Sequence, residues 1–220
     1  MNGEAPLKGD TALRRAVDLL VGGSVLLLLS PFLAGVAILI KLGSRGPVLF
    51  SQERVGRGLK PFRMLKFRSM VADAQRLGPP VSGRGDVRIT RMGHWLRATK
   101  IDELPQLLNL LKGEVTLVGP RAEVESYVAH YTDEERALLS VRPGLTGPGQ
   151  LYFTTHQAAE LDRTDDPEAF YLEHQLHPKL AMDLHYLRHR SLGRDLTLLV
   201  RTVAVLLGWR GGAPRRAIVL

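Results

Sequence analysis

The chain has 220 residues, enough for one domain with a single core and an appended element. It has no cysteine, which excludes disulfides, thiolate metal sites and a cysteine nucleophile. Its net charge of +8 is concentrated in residues 41–101, where fourteen basic and three acidic side chains suit nucleic acid, an anionic membrane surface or a phosphorylated substrate.

A long apolar segment lies near the N-terminus. Residues 19–40 form a run without a charge, which at about 1.5 Å per residue is long enough to cross a bilayer core of roughly 30 Å. Because the run is long and ends at Lys41 without a small-residue cleavage site, it does not resemble a secretory signal. The sequence therefore predicts a membrane helix.

Ser30 and Pro31 lie at the middle of this segment, and a proline removes a backbone donor and clashes with the preceding turn. Basic residues flank both ends, so the positive-inside bias selects neither orientation. Each half, roughly 16 Å long as a helix, reaches about one leaflet deep. These features favour a re-entrant helix over residues 11–43, bent at Ser30 and Pro31. A kinked helix that crosses the bilayer stays open as the alternative.

The next segment is predicted to combine two strands and a loop. Residues 47–70 have the pattern of two short strands around a basic turn, and Phe62, Met64 and Lys66 share one face of the second strand. Residues 71–93 start with a short helical piece and then become rich in glycine and proline. This composition favours a loop.

A helix is predicted over residues 104–113. Pro105 stands in its first turn, leucines form an apolar stripe along it, and Gly113 follows as the C-cap. Asp102 and Glu103 therefore lie just before a helix N-terminus.

A short buried strand is expected over residues 114–118. It ends at Gly119-Pro120-Arg121, which places an arginine on the following turn. Helices are expected near residues 122–130 and 133–139.

Residues 142–149 contain too much glycine and proline for a regular element and are predicted to form a structured loop or a lid. Helices are expected again over residues 167–186 and 196–207. The last helix, which leads to Trp209 and Arg210, can pack in the core or lie in the plane of the lipid headgroups.

Asp102 and Glu103 are the candidate catalytic residues. A helix N-terminus favours negative charge and attracts phosphate, so this position is expected to keep Asp102 ionised beside an anionic substrate. Two adjacent carboxylates suggest a nucleophile next to a magnesium ligand, whereas helix capping is the rival interpretation. The nearby cations Arg91, Arg97 and Lys100 indicate an anionic ligand.

Four more cations lie at strand ends or at glycine-proline turns, where side chains meet in a shared cleft more readily than on a solvated helix face. A diphosphate would need such donors, and they are Lys66, Arg68, Arg121 and Arg142. The chain has no glycine-rich phosphate loop of familiar spacing, which argues against ATP or NAD as a ligand.

Six ordered motifs follow one another along the chain. They are Pro47-Val48-Leu49-Phe50 with Gln52, Arg54 and Gly56; Lys66-Phe67-Arg68-Ser69-Met70; Arg88-Ile89-Thr90-Arg91; Ile101-Asp102-Glu103-Leu104-Pro105-Gln106; Leu117-Val118-Gly119-Pro120-Arg121; and Arg142-Pro143-Gly144-Leu145-Thr146-Gly147. With these motifs the chain resembles the bacterial sugar transferases, or monotopic polyprenyl-phosphate phosphoglycosyl transferases, over about residues 13–207.

The resemblance implies a reaction. Members of this family transfer a sugar phosphate from a nucleotide diphosphosugar, usually UDP-linked, to undecaprenyl phosphate, and release the nucleoside monophosphate. Their products begin glycan assembly. Applied to this sequence, the resemblance makes Asp102 the nucleophile of a covalent phosphosugar intermediate, with Glu103 assisting it, and both carboxylates would hold Mg²⁺.

The resemblance also implies that Lys66, Arg97 and Arg121 hold substrate phosphates. It makes Ser30 and Pro31 the break in a helix that enters and leaves the bacterial inner membrane on its cytoplasmic side, where the active site would face. The implied partners are a UDP-sugar donor, undecaprenyl phosphate and phospholipid, without nucleic acid. Self-association into a homodimer stays open.

The expected fold is α+β: a mainly helical monotopic membrane protein with an N-terminal re-entrant helix, a small β element and interfacial amphipathic helices. The expected organisation, in the small catalytic-core form of the family, is a tail over residues 1–10, the re-entrant helix over 11–43, a catalytic domain over 44–210 and a tail over 211–220.

Two positions depart from the family pattern. Ala122 replaces a commonly repeated proline, and Pro148-Gly149 replaces an aromatic and a small residue. Both are in loops expected near the donor, so the sugar and the glycan pathway stay open. The alternative function is a membrane-tethered module that binds anionic lipid or nucleic acid without catalysis.

Overall fold

The computed structural model describes residues 6–71, 74–78, 86–157 and 160–208. Residues 1–5 of the predicted N-terminal tail, the whole predicted C-terminal tail (211–220), residues 72–73 and 79–85 of the predicted loop segment, and Trp209 with Arg210 lie outside these ranges. The helices are α1 (Ala12–Gly43), α2 (Arg91–Ala98), α3 (Gln106–Lys112), α4 (Glu125–Val128), α5 (Pro148–Tyr152), α6 (Pro167–Phe170), α7 (Leu176–Arg188) and α8 (Leu192–Leu206). The strands are β1 (Leu49–Val55), β2 (Pro61–Phe67), β3 (Thr116–Val118) and β4 (Gly144–Thr146). The fold is mostly helical with small sheets, which is compatible with the predicted α+β class.

Helix α1 is long and apolar. It begins after Thr11, whose hydroxyl accepts a hydrogen bond from the backbone N–H of Arg14 at 3.2 Å, and it continues through Pro31. An 18-residue window of α1 has a mean hydropathy of 2.4, and only 17% of that window is buried in the protein. The predicted apolar helix is therefore present with almost the predicted bounds. Its bend and its re-entrant path stay predictions.

Strands β1 and β2 form the predicted hairpin, with Leu49 opposite Phe67 and Val55 opposite Pro61. The turn between them includes Gly58 in the left-handed region, with a φ of 66°. On β2, Phe62 and Met64 face the core, so Lys66, two residues further along the same face, is directed into the protein.

The prediction that residues 142–149 contain no regular element is wrong, because β4 and the start of α5 lie within this range. Strand β4 pairs parallel to β3, and the backbone N–H of Gly119 donates to the Thr146 carbonyl at 2.9 Å. This pairing depends on Gly144, since a Cβ there would stand 2.1 Å from the backbone nitrogen of Gly119. A glycine that signals a loop in the sequence here permits close backbone contact.

Three other expectations about elements also need correction. The loop predicted up to residue 93 contains the start of α2, where the Thr90 hydroxyl accepts from the backbone N–H of Gly93 at 2.9 Å as an N-cap. The helix expected over 122–130 is only the short α4, and the helix expected over 133–139 is a 3₁₀ segment, Glu135–Ser140. The C-terminal helices are present, with α8 starting four residues earlier than predicted.

The buried apolar residues form two clusters. The main cluster lies between the hairpin, β3, α4 and α7, and its most buried members include Leu110, Val115, Leu176 and Leu187. A smaller cluster joins the second half of α1 to β2 and α2, and consists of Leu33, Val36, Ile40, Phe67 and Leu96. The second cluster attaches the second half of α1 to the rest of the chain.

Candidate active site

Asp102 and Glu103 lie in a 3₁₀ turn, Ile101–Glu103, between α2 and α3. The turn is entered through Lys100, which has a left-handed φ of 59°. Helix α3 starts three residues after Glu103, so the pair precedes a helix as predicted. Asp102 is 5% exposed.

Helix capping, the rival interpretation of the pair, does not describe this geometry. The N-cap position of α3 is Pro105, and no side chain caps that helix end. The Glu103 carboxylate is engaged by cations instead.

One oxygen of Glu103 accepts hydrogen bonds from two cationic side chains. The Lys66 Nζ and the Arg121 Nη2 each lie 3.1 Å from Glu103 Oε1. Lys66 is at the end of β2, and Arg121 is on the turn after β3, so three separate segments meet at this atom. We call Lys66, Glu103 and Arg121 the Glu103 triad.

The electrostatics of the triad fix the charge of Glu103. Burial by itself would raise the pKa of Glu103, but Arg121, Lys66 and Lys100 overcome this and hold that pKa well below its ordinary value. Burial also lowers the pKa of Lys66, since the attraction of Glu103 does not fully compensate for lost water. Glu103 is therefore a permanent anion between cations.

Asp102 has the opposite environment. Burial raises its pKa, the negative charge of Glu103 adds to the rise, and Lys66, Lys100 and Arg97 oppose it. Burial thus acts against the effect predicted for the helix N-terminus, and the ionised state of Asp102 stays a prediction. Within the part of the chain that the structure describes, Asp102 Oδ1 is buried and accepts no hydrogen bond. This oxygen has no partner that would reduce its reactivity.

Asp102 and Glu103 are the predicted ligands of Mg²⁺, and this stays a prediction. Among the described residues, no cluster of three or more His, Cys, Asp or Glu side chains could hold a metal ion. Mg²⁺ needs no such cluster, because it commonly takes one or two carboxylates and fills its octahedron with water and substrate phosphate oxygens. The unpartnered Asp102 Oδ1 is consistent with a ligand that arrives together with an anionic substrate.

The predicted phosphate-binding cations divide into two groups. Lys66 and Arg121 belong to the triad, and the charge of Arg97, on α2, acts on Asp102. Arg68 instead donates to the carbonyls of Ser44 and Arg45 at 2.8 and 2.7 Å, which fixes the turn after α1.

Arg142 likewise has partners away from the carboxylate pair. It donates to the Gly113 carbonyl at 2.9 Å and lies 3.5 Å from a carboxylate oxygen of Asp10. The structure brings neither Arg68 nor Arg142 to the carboxylate pair, and their phosphate contacts stay predictions.

The sequence interpretation missed a buried group of charges behind Arg121. It consists of Glu123, Lys179 and Asp183, each no more than 5% exposed. Lys179 and Asp183 are four residues apart on α7 and have the spacing of an ordinary surface pair. The signal that could have identified them is their position beside the apolar stripe of Leu176, Leu180, Leu184 and Leu187, where a charge is unusual.

A buried carboxylate pair surrounded by lysine and arginine, in a chain with a long apolar helix, is the arrangement expected of a membrane-associated protein that binds an anionic ligand. The sequence model of the bacterial sugar transferase family matches residues 9–209. The chain belongs to this family, as its motifs predict.

Several characterised relatives are similar over most of the chain. A UDP-N-acetylgalactosamine-undecaprenyl-phosphate N-acetylgalactosaminephosphotransferase from Aeromonas hydrophila is 36% identical over 89% of the chain and 44% of its own length. A UDP-glucose:undecaprenyl-phosphate glucose-1-phosphate transferase from Caulobacter vibrioides is 40% identical over 88% of the chain and 69% of its own length. The exopolysaccharide production protein PSS from Rhizobium leguminosarum bv. phaseoli is 38% identical over 88% of the chain and 94% of its own length. The chain thus spans less than half of the Aeromonas relative.

Proposed function

We propose that the protein transfers a sugar 1-phosphate from a UDP-sugar to undecaprenyl phosphate through a covalent intermediate on Asp102. The observation that carries this proposal is the buried, unpartnered Oδ1 of Asp102 beside a glutamate held by two cations. The names of the relatives, which are UDP-sugar and undecaprenyl-phosphate transferases, support the substrates.

In the first step, a carboxylate oxygen of Asp102 attacks the phosphorus atom that carries the sugar. A bond forms between this oxygen and phosphorus, the bond from that phosphorus to the bridging oxygen breaks, and UMP leaves with the bridging oxygen. The product is an acyl phosphate between Asp102 and the sugar. Because burial raises the pKa of Asp102, its carboxylate is less stabilised than in water and more ready to attack.

In the second step, a phosphate oxygen of undecaprenyl phosphate attacks the same phosphorus atom. The bond between Asp102 and phosphorus breaks, and the carboxylate is regenerated. The lipid then carries a diphosphate linked to the sugar. The two substrates use the site in turn, so the kinetics are ping-pong.

The cations around Asp102 balance the negative charge of the phosphates. Lys66, Arg121 and Arg97 provide the positive charge, and Glu103 keeps the first two in fixed positions. Asp102 and Glu103 would hold Mg²⁺, which supplies further charge neutralisation to the diphosphate when bound.

The active site would face the cytoplasm, with α1 as a re-entrant helix in the bacterial inner membrane. Near its start, Arg15 donates to the carbonyls of Leu110 and Leu111 at 2.6 and 2.8 Å. Near its end, Val36 and Ile40 are buried in the cluster with β2 and α2.

Both ends of α1 thus contact the same globular part, and in the middle Leu26 and Leu29 also pack against the second cluster, while Leu27 and Leu28 on the outer side are 77% and 80% exposed. A helix that crossed the bilayer would carry one end away from that globular part. This contact pattern therefore supports a path that returns to the same face.

Helix α8 would lie in the plane of the headgroups. The buried side of α8 is small and includes Leu198. Its exposed side is an apolar stripe formed by Leu192, Leu196, Val200 and Val203, which continues to Leu207 directly after the helix. Asp195 connects this helix to the start of α1 through Arg14 at 3.0 Å. Of the two predicted environments for this helix, the interfacial one agrees with this exposure.

A transfer assay tests the proposed function. The purified chain, with Mg²⁺ and undecaprenyl phosphate in detergent, is supplied with UDP-glucose and UDP-N-acetylgalactosamine, and UMP release is measured. Without acceptor, intact-mass spectrometry should show one added sugar phosphate. Asp102→Asn should lose both signals, and Asp133→Asn, which removes an exposed carboxylate, should keep them. A fully active Asp102→Asn variant would refute the covalent mechanism.

A further inference from the structure

Arg121 is carried by a short segment, residues 119–123, which we call the strap. The strap leads from β3 towards α4 and contains no regular secondary structure. An irregular segment has no internal hydrogen bonds to fix it, so the direction of the Arg121 side chain depends on what surrounds the strap.

The backbone of the strap is fixed by hydrogen bonds to β4 and β1. From β4, the Thr146 carbonyl accepts from the backbone N–H of Gly119 at 2.9 Å, and the backbone N–H of Gly144 donates to the Pro120 carbonyl at 2.7 Å. From β1, the backbone N–H of Val55 donates to the Glu123 carbonyl at 2.9 Å, and Arg54 Nη1 lies 3.3 Å from the Ala122 carbonyl oxygen. Four of the five strap residues, Gly119, Pro120, Ala122 and Glu123, are therefore tied to neighbouring elements through their backbone. Helix α7 contacts the strap through the Lys179 ammonium, which donates to the Glu123 carboxylate.

The side chain of Glu123 adds a buried ionic network. Its Oε1 accepts from the Tyr171 hydroxyl at 2.9 Å and from the Lys179 ammonium, and its Oε2 lies 3.4 Å from Arg54 Nη1. Lys179 also stands 4.7 Å from the centre of the Tyr171 ring. Burial alone would raise the pKa of Glu123, but Lys179 and Arg54 bring that pKa below its ordinary value.

Asp183 connects this group of buried charges to the start of α5. It is 1% exposed, and its Oδ1 accepts from the backbone N–H of Gly149 at 3.0 Å. There is no room for a larger residue between the two, because a Cβ on Gly149 would lie 2.6 Å from the Lys179 carbonyl oxygen. Helix α7 is thus packed directly against the start of α5.

We propose that Glu123, Lys179 and Asp183 are positioning residues that hold the strap so that Arg121 meets the donor diphosphate. Lys179 contacts Glu123 of the strap, Asp183 contacts the start of α5, and all three residues act on the substrate through Arg121. This inference rests on the proposed function for the identity of the donor.

The composition of the network supports a positioning role. Buried charges contribute little net stability compared with apolar residues of similar volume, because removing them from water is costly. What a buried ionic network adds is a defined geometry. The guanidinium that depends on this geometry is the one that lies 3.1 Å from Glu103.

The test compares Glu123→Gln with Tyr171→Phe, a milder variant that removes one hydrogen bond to Glu123. The dissociation constant for UDP, in the presence of Mg²⁺, is measured by calorimetry on the full chain in detergent. KM and kcat are measured with UDP-glucose. A displaced Arg121 should weaken UDP binding and raise the donor KM, by roughly 10- to 100-fold for Glu123→Gln and less for Tyr171→Phe.

A double-mutant cycle with Arg121→Ala separates positioning from simple destabilisation. If the network acts through Arg121, Glu123→Gln should have little further effect in the Arg121→Ala background. Glu135→Gln is the matched control, because Glu135 is also buried and pairs with a residue of α7, His177, at 2.8 Å. It should lower the unfolding temperature without changing UDP affinity or the donor KM.

The outcomes distinguish this inference from the proposed function. Unchanged UDP affinity in Glu123→Gln, or additive effects in the cycle, would overturn the positioning role even if the wild-type protein transfers sugar phosphate. Conversely, absence of transfer by the wild-type protein would overturn the proposed function, while the UDP measurements would still test whether the network controls Arg121.

Discussion

The neighbouring carboxyl groups of Asp102 and Glu103 have pKa values that are displaced in opposite directions. Burial raises the pKa of Asp102. In Glu103, burial acts in the same sense, but Arg121 and Lys66 reverse it and the pKa falls well below its ordinary value. Two adjacent residues of similar chemistry thus take different roles, with Glu103 as the fixed anion that organises cations and Asp102 as the carboxylate that reacts.

Glu103→Gln should separate these roles. The amide no longer balances Lys66 and Arg121, so kcat should fall roughly 100-fold, because fixed charge around the phosphates is disturbed. Loss of two charged hydrogen bonds should also lower the free energy of unfolding by about 2 kcal/mol. Steady-state UMP release and thermal unfolding in detergent measure the two effects.

The control for this substitution is Glu134→Gln, which removes a carboxylate that pairs with Arg188 at the surface. An exposed pair contributes at most about 1 kcal/mol, so activity and unfolding should stay close to the wild type. If Glu103→Gln kept the wild-type kcat, the triad would have no part in the reaction.

Gly144→Ala should disrupt the parallel pair of β3 and β4. The new Cβ would lie 2.1 Å from the backbone nitrogen of Gly119 and 2.6 Å from its carbonyl oxygen, and backbone atoms cannot move away without breaking the pairing. We expect a loss of about 2 kcal/mol or more in the free energy of unfolding. Gly193→Ala, on α8 with nothing within 4 Å of its Cβ, should be neutral or slightly stabilising. Denaturant unfolding followed by tryptophan fluorescence compares the two.

The stability of the protein should depend on the ionisation of Asp183. Burial raises the pKa of this carboxyl to about 7 from an ordinary value of 3.8, so the folded chain binds the proton more tightly than the unfolded chain. The resulting stabilisation is complete below the ordinary value and is lost as the pH rises through about 7.

The unfolding temperature of the wild-type protein should therefore decrease as the pH is raised from about 4 to about 7. Asp183→Asn cannot ionise, so its unfolding temperature should change less across the same interval. An equal change in both proteins would assign the pH dependence to other groups.

The parts of the fold that the sequence predicted well are local in origin. Helix α1 follows from an uninterrupted apolar run, the hairpin from alternating residues around Gly58, and the end of α3 from Gly113 in the left-handed region. Asp102 and Glu103 could be placed before α3 for the same reason. These features need only neighbouring residues to be specified.

The missed features depend on contacts between distant segments. Strand β4 exists because Gly144 allows its backbone to approach Gly119, and neither glycine indicates its partner in the sequence. Lys179 and Glu123 are 56 residues apart, and only the packing of α7 against the strap brings them together. The predicted phosphate-binding residues show the same limit. Arg68 and Arg121 both follow strands in the sequence, but only Arg121 lies beside Glu103 in the fold, whereas Arg68 contacts the turn after α1.

The path of α1 can be tested with single cysteines, because the natural chain has none. Ala12→Cys and Gly43→Cys mark the two ends of the helix at exposed positions, and Leu28→Cys marks its exposed middle. A membrane-impermeant maleimide is applied to bacterial spheroplasts and, separately, to inside-out membrane vesicles.

For a re-entrant helix, both end variants should react in inside-out vesicles and remain unlabelled in spheroplasts, because both ends contact the same globular part. Leu28→Cys should be unlabelled in both preparations until detergent is added, since an apolar position 80% exposed in the protein would be covered by lipid. Labelling of one end variant in spheroplasts and the other in vesicles would show that α1 crosses the bilayer. The contacts of Arg15 with α3 and of Ile40 with the second cluster would then have to break, since they require both ends of α1 on the side of the globular part.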